Sequence, residues 1–171
     1  LCLALTLSLH AQTFQVNSPS KRIQLTFRLA NGSPTYSVAF NQKDFILQSP
    51  LGLRFLDANL TGGLEIIGMD TARVDETWTP VWGETSKIRN HYRQLTVHLR
   101  QQKEKPILLD IVFRVFDDGV GFRYALPAQK DLTHFIVSGE NSGFQLTGDH
   151  KTFWIPGDYD SNEYPYTTSA L

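Results

Sequence analysis

The stretch Arg22-Ile-Gln-Leu-Thr-Phe-Arg-Leu29 decides the fold. Ile23, Leu25, Phe27 and Leu29 are apolar, and Arg22, Gln24, Thr26 and Arg28 between them are polar. A repeat of two puts alternate side chains on opposite faces of an extended chain, so this segment is a strand with one buried and one wet face. Asn31-Gly-Ser-Pro34 then supplies turn chemistry before a second run carrying Tyr36, Val38 and Phe40, and the pair predicts a β-hairpin. The pattern returns in Leu95, Val97 and Leu99, with Thr96, His98 and Arg100 between them, and in Leu109, Ile111, Phe113 and Val115. Val120, Phe122, Tyr124 and Leu126 resume it after Asp117-Asp-Gly119, a tight-turn sequence that predicts another hairpin. Leu64 to Thr77 and Phe135 to Leu146 read as further strands, the second interrupted over Gly139 to Gly143. No window carries a helical stripe longer than two turns. Many short strands with turns between them predict an all-β fold, an antiparallel β-sandwich of two sheets packed face to face.

Composition agrees with a cored chain. Of 171 residues, 41% are hydrophobic, 12% aromatic and 19% charged, values of a globular rather than a disordered sequence. Lys plus Arg number 16 against 17 Asp plus Glu, a formal net charge of −1. That balance leaves no basic excess for neutralising phosphates, so no nucleic-acid partner is expected. A single cysteine, Cys2, excludes a disulfide framework and a cysteine-based zinc cluster. The opening run Leu1 to Leu9 is apolar and uncharged but too short to span a bilayer, and Leu9-His10-Ala11 leads into polar Gln12. It reads as a residual signal peptide over 1–11, cleaved after Ala11, with the domain occupying 12–171. Alternation of Leu3, Leu5, Leu7 and Leu9 leaves a buried first strand as the other reading. The signal reading predicts a periplasmic or secreted protein with no membrane span. Leu1 is not an initiator methionine and Leu171 follows no closing signal, so the chain is expected to be a fragment at both ends.

Four local features can carry chemistry. In Trp78-Thr-Pro-Val-Trp82-Gly-Glu84, two indole rings four residues apart suit the apolar faces of a sugar, and a carboxylate accepts from its hydroxyls. The competing use of both rings is core filling. Arg89-Asn-His-Tyr92 places Arg89 and His91 on one strand face and Asn90 and Tyr92 on the other, either at a cleft or along a solvated edge. Asp117 and Asp118 suggest an acid and base pair, but Asp-Asp-Gly between two alternating runs is what a hairpin turn requires. Gly157-Asp-Tyr-Asp-Ser-Asn-Glu163-Tyr-Pro-Tyr166 offers hard oxygen ligands of the kind Ca²⁺ prefers, or a solvated acidic loop. It is not an EF-hand, because no glycine stands at the sharp turn and Ser169 occupies the closing position.

Taken in order, Trp78 to Glu84, Arg89 to Tyr92, Asp118 to Tyr124 and Asp158 to Glu163 resemble the N-terminal domain of glycoside hydrolase family 97, from about Gln15 onward. This is a family of bacterial α-glucosidases and α-galactosidases. The resemblance implies a galactose-mutarotase-like super-sandwich packed, in the whole enzyme, on a catalytic (β/α)₈ barrel of the same chain. It implies a Ca²⁺ ion held mostly by barrel carboxylates and by one glutamate from this domain. By motif that glutamate is Glu163, with Asp160 in reserve. The substrate would be an α-linked oligosaccharide of glucose or galactose, and the acid and base carboxylates would lie on the barrel, none in this chain. Trp82, Glu84, Arg89, Asn90 and His91 are expected to line the sugar-facing rim.

Other classes make different demands. A stand-alone carbohydrate-binding sandwich would use the paired tryptophans without hydrolysis. An aldose epimerase of mutarotase type needs a histidine and a carboxylate placed together for proton transfer, and its histidine pair is not recognisable here.

Overall fold

Two four-stranded antiparallel sheets carry the molecule. The computed structural model describes residues 11–130 and 132–171; the expected signal segment therefore lies, apart from Ala11, outside the described residues. The first sheet is a meander of β1 (Gln12–Asn17), β2 (Ile23–Ala30), β3 (Ser33–Phe40) and β4 (Lys43–Pro50). A connecting segment holds the short β5 (Leu53–Phe55). The second sheet is a meander of β6 (Leu64–Trp78), β7 (Ile88–Gln101), β8 (Leu108–Val115) and β9 (Val120–Ala125). β10 (Val137–Glu140) pairs with β5, and β11 (Lys151–Trp154) pairs with β12 (Thr167–Ala170). No helix occurs among the described residues.

The alternation sends the predicted residues inward. Leu25, Phe27, Val97, Leu99, Leu109, Ile111, Phe113 and Val115 are all completely buried. Phe113 of the second sheet lies 6.0 Å from Phe27 and 6.4 Å from Tyr36 of the first, measured between ring centroids, so aromatic contacts join the sheets at the centre. Leu51, Phe55 and Leu60 from the segment around β5 close one end of the core. Residues 141–146 close one side: the Gly143 N–H donates to Pro50 O, the Leu47 N–H donates to Gln145 O, and the Tyr36 hydroxyl donates to Gly143 O at 3.0 Å. Burial pushes the Tyr36 phenol up to about 12, so it acts there as a donor.

The first hairpin is tighter than its sequence suggests. Only Asn31 and Gly32 turn, at φ 52° and 74°, and Ser33 and Pro34 already belong to β3. Left-handed values at both positions match the twist of the flanking strands. The Pro34 carbonyl accepts from the Leu51 N–H, which ties the connection to β3. The predicted interruption over Gly139 to Gly143 is seen as the end of β10, and Leu146 rejoins the first sheet in an isolated bridge to Ile46. The stretch after residue 147 contains the β11–β12 hairpin.

Strand direction sorts the turns into two ends. The β1–β2, β3–β4 and β8–β9 turns share one end, and there Asp117 of the β8–β9 turn accepts from the Ser20 N–H of the β1–β2 turn at 2.7 Å. The Ser20 hydroxyl, and after it this N–H, hold the Asp117 carboxyl below the usual carboxylate range. Asp117 is thus a turn residue that also ties the sheets together. The β6–β7 hairpin leaves the sandwich at this same end.

Candidate functional site

β6 and β7 are longer than the sheet they belong to. β8 accompanies β7 only as far as the Arg93–Val115 pair, whereas β6 and β7 stay paired from Val74–Tyr92 out to Trp78–Ile88. Those five further pairs form a two-stranded arm of about 16 Å. Residues 79–87 make its tip. Among the described residues no third strand pairs with the arm, and most of its side chains are exposed.

Each expected rim residue lies on this arm. Trp82 is 88% exposed and Trp78 50%, so neither ring fills the core. Glu84 is exposed on the tip loop beside Gly83. Arg89 and His91 share one face of β7, as the strand period predicts, and both meet Asp75 of β6. The Arg89 guanidinium donates through Nε and Nη2 to the two Asp75 carboxylate oxygens, each at 2.7 Å, and His91 Nε2 lies 3.9 Å from Asp75 Oδ2. On the other face the Asn90 amide donates to Glu76 Oε1 at 2.7 Å. The hydrogen bond from Arg89, aided by the nearby His91, holds the Asp75 carboxyl below its ordinary range. Asp75 is therefore a charged acceptor, unsuited to donate a proton near neutrality.

Asp75 and Glu76 were not legible as site residues. They precede the Arg89 motif by 14 positions, and only the register of β6 against β7 makes them neighbours. The one available signal is charge: an Asp-Glu pair on one long strand and an Arg-Asn-His run on the next. Tyr92 departs from the exposed set. It is 6% exposed, packed 5.0 Å from the Phe116 ring and covered by the Arg114 guanidinium at 4.6 Å from its centroid, so it anchors the root of the arm.

The second expected feature is separate. Residues 155–166 form the exposed loop between β11 and β12. Inside it Asp158 accepts from the Asp160 N–H and from the Tyr164 hydroxyl, which holds its carboxyl below the usual range. The Glu163 N–H donates to Ser161 Oγ. Glu163 and Asp160 side chains make no hydrogen bond or ion pair among the described residues, and no group of three metal-ligating side chains is assembled there. The loop fits a hard cation as a contributor of one or two carboxylate oxygens, not as a complete site, since Ca²⁺ takes six to eight oxygens. No hydrogen bond among the described residues links this loop to the arm.

The family model described as Glycosyl-hydrolase 97 N-terminal matches residues 16–171. A "Probable retaining alpha-galactosidase" of Streptomyces bingchenggensis is 31% identical over 98% of this chain and 27% of its own length. A "Retaining alpha-galactosidase" of Bacteroides thetaiotaomicron is 28% identical over all of this chain and 26% of its own length. Among solved structures, a Glycoside Hydrolase Family 97 enzyme in complex with panose, from Pseudoalteromonas sp. strain K8, superposes with a TM-score of 0.84 at 28% identity, covering 91% of this chain and 24% of that one. The chain spans about a quarter of the length of the curated relatives it matches.

Proposed function

The chain belongs to the glycosyl-hydrolase 97 N-terminal family, and from that premise we propose that it is the accessory domain of a secreted or periplasmic, calcium-dependent exo-acting α-glycosidase. The substrate is an oligosaccharide bearing α-linked galactose or glucose. Support for galactose comes from the two relatives named as retaining α-galactosidases, and support for glucose from the structural neighbour bound to panose. The domain packs on a catalytic (β/α)₈ barrel of the same chain and carries no catalytic residue itself.

The single observation behind the metal role is Glu163. Its carboxylate is exposed, unpaired among the described residues, and carried on a loop in which Asp158 is already engaged. Glu163 would hold the Ca²⁺ together with ligands from outside this domain, with Asp160 as the alternative. When bound, the ion supplies Lewis-acid polarisation at the scissile region. Trp82 offers its indole face to a sugar ring, and Glu84 offers acceptors to its hydroxyls. Asp75 fixes Arg89 in position before a ligand arrives, which lowers the entropy lost on binding; Asn90 is fixed in the same way by Glu76.

The test is Glu163→Gln in the enzyme carrying this domain. Calcium affinity and activity should fall together by an order of magnitude or more, since even outer-shell partners of metal ligands cost about ten- to hundredfold. An unchanged calcium dependence would remove Glu163 from the metal site.

A further inference from the structure

Beside the arm, at the same end of the sandwich, lies a cavity of about 430 Å³ that the rim residues do not touch. Small-molecule pockets span about 300–1,000 Å³, so its size suits one. Phe40, Phe45 and Val120 give it apolar walls, and Arg22, Asp117 and Asp118 stand at its edge. Both rings are unusually open for phenylalanine, Phe40 at 42% and Phe45 at 59%.

The backbone goes out of its way to present Phe45. β3 and β4 pair Phe40 with Lys43 and Ala39 with Asp44, and then Val38 with Ile46. Phe45 is the residue left over in this bulge. A regular ladder would have set it opposite Val38; the extra residue re-aims its side chain. The turn before it is rigid as well, with Asn41 and Gln42 both left-handed at φ 49° and 65°. At the opposite edge the Arg22 guanidinium sits 6.0 Å from the Phe40 ring centroid, which holds its donors at the cavity mouth. The two aspartates differ in availability: Asp117 is committed to the Ser20 N–H, whereas the exposed Asp118 carboxylate accepts no hydrogen bond among the described residues.

We propose that this cavity is a second carbohydrate subsite, separate from the arm, in which a neutral hexose stacks on Phe45 and Phe40 while Asp118 and Arg22 bond its hydroxyls. A sugar ring has the matching surface, with an apolar face of C–H groups and a rim of hydroxyls that both donate and accept. A carboxylate and a guanidinium lining one cavity accept from and donate to hydroxyls, and their opposite charges favour a neutral ligand over an ion. The assignment rests on the reading that the protein acts on carbohydrate.

Saturation-transfer NMR on the full chain with maltotriose, and separately with raffinose, tests it. Transfer to at least one trisaccharide is expected. In a Trp82→Ala background, which removes stacking at the arm, Phe45→Ala should weaken binding about fivefold or more, and Asp118→Asn should weaken it too. Both substitutions alter exposed side chains, and unchanged amide spectra will show that the fold is kept. The proposal is overturned if neither trisaccharide receives transfer in the Trp82→Ala background, or if Phe45→Ala and Asp118→Asn leave transfer intact there. None of those results touches the calcium test on Glu163, so a failure here is separable from a failure of the glycosidase reading.

Discussion

His98 shows how one side chain can couple three strands. Its Nδ1 lies 2.8 Å from Asp110 Oδ1 on β8 and its Nε2 lies 3.0 Å from Asp70 Oδ2 on β6, so the ring bridges both neighbours of β7 on the outer face of the second sheet. Hydrogen bonds to Asp70 and then Asp110 raise its pKa above the ordinary 6.5. With two carboxylate acceptors, both ring nitrogens must donate, which favours the imidazolium. A group raised on folding contributes stability in full below its unfolded value, and that contribution is lost as pH rises through the folded value. The urea midpoint should therefore fall between about pH 6.5 and the raised value, and His98→Gln should abolish that slope. A slope that persists in the variant would assign it to another group. Trp82 is the opposite kind of residue. Being 88% exposed, it contributes little to packing; Trp82→Ala should change stability by less than about 0.5 kcal/mol. In the enzyme carrying the domain it should raise KM about five- to tenfold through lost stacking. A marked fall in the melting temperature with an unaltered KM would return Trp82 to a structural role. Residue types along the arm were legible because aromatic, amide and charged groups crowd a short sequence. Their partners Asp75 and Glu76 were not, since local sequence does not state register.

At the scale of elements, the turns decide where strands begin. Gly32 illustrates the constraint twice over. Its φ of 74° is left-handed, and a Cβ there would lie 3.0 Å from the Gly63 nitrogen, with the Leu64 N–H also donating to Gly32 O. Gly32→Ala should cost at least about 1–2 kcal/mol from backbone conformation alone, with further loss if the β6 start must move; equilibrium denaturation measures it. A neutral outcome would mean that the turn relaxes to another type. Strands that alternate over a half-buried surface, β2, β3, β7, β8 and β9, were legible because burial imposes the period. β4 was not, since its bulge at Phe45 breaks the repeat. β11 and β12 were hidden for another reason: nearly all their residues are exposed, so no apolar alternation marks them. Their pairing from Lys151–Ala170 to Trp154–Thr167 comes from backbone hydrogen bonds instead.

Across the whole molecule, stability is concentrated where the two sheets meet. Phe113 touches Phe27, Tyr36 and Phe122, at 6.0, 6.4 and 6.1 Å between centroids, and is completely buried. Phe113→Ala should cost about 3–5 kcal/mol, read from the denaturation midpoint at unchanged slope. A loss below about 1 kcal/mol would mean that the sheets can close over the cavity. Beyond that core the distribution reverses. Trp78, Trp82, Phe153, Trp154 and Tyr166 are large and exposed, and they lie on the arm and on the β11–β12 hairpin. The sandwich thus packs itself in the middle, while the arm and the β11–β12 hairpin carry large apolar side chains in solvent.

By itself the sequence determined the all-β class, the strand alternation, the turn role of Asp117 and Asp118, and the family to which the motifs belong. Each of these is a short-range property: side-chain period, turn propensity or a run of residue types. Tertiary structure alone decided that β6 and β7 outrun β8, that Asp75 fixes Arg89, that Phe45 is turned out by a bulge, and that no hydrogen bond among the described residues joins the Glu163 loop to the arm. These are matters of register and of which segments meet in space. They depend on the sum of many weak pairings over the whole chain, and no single stretch of sequence encodes that sum.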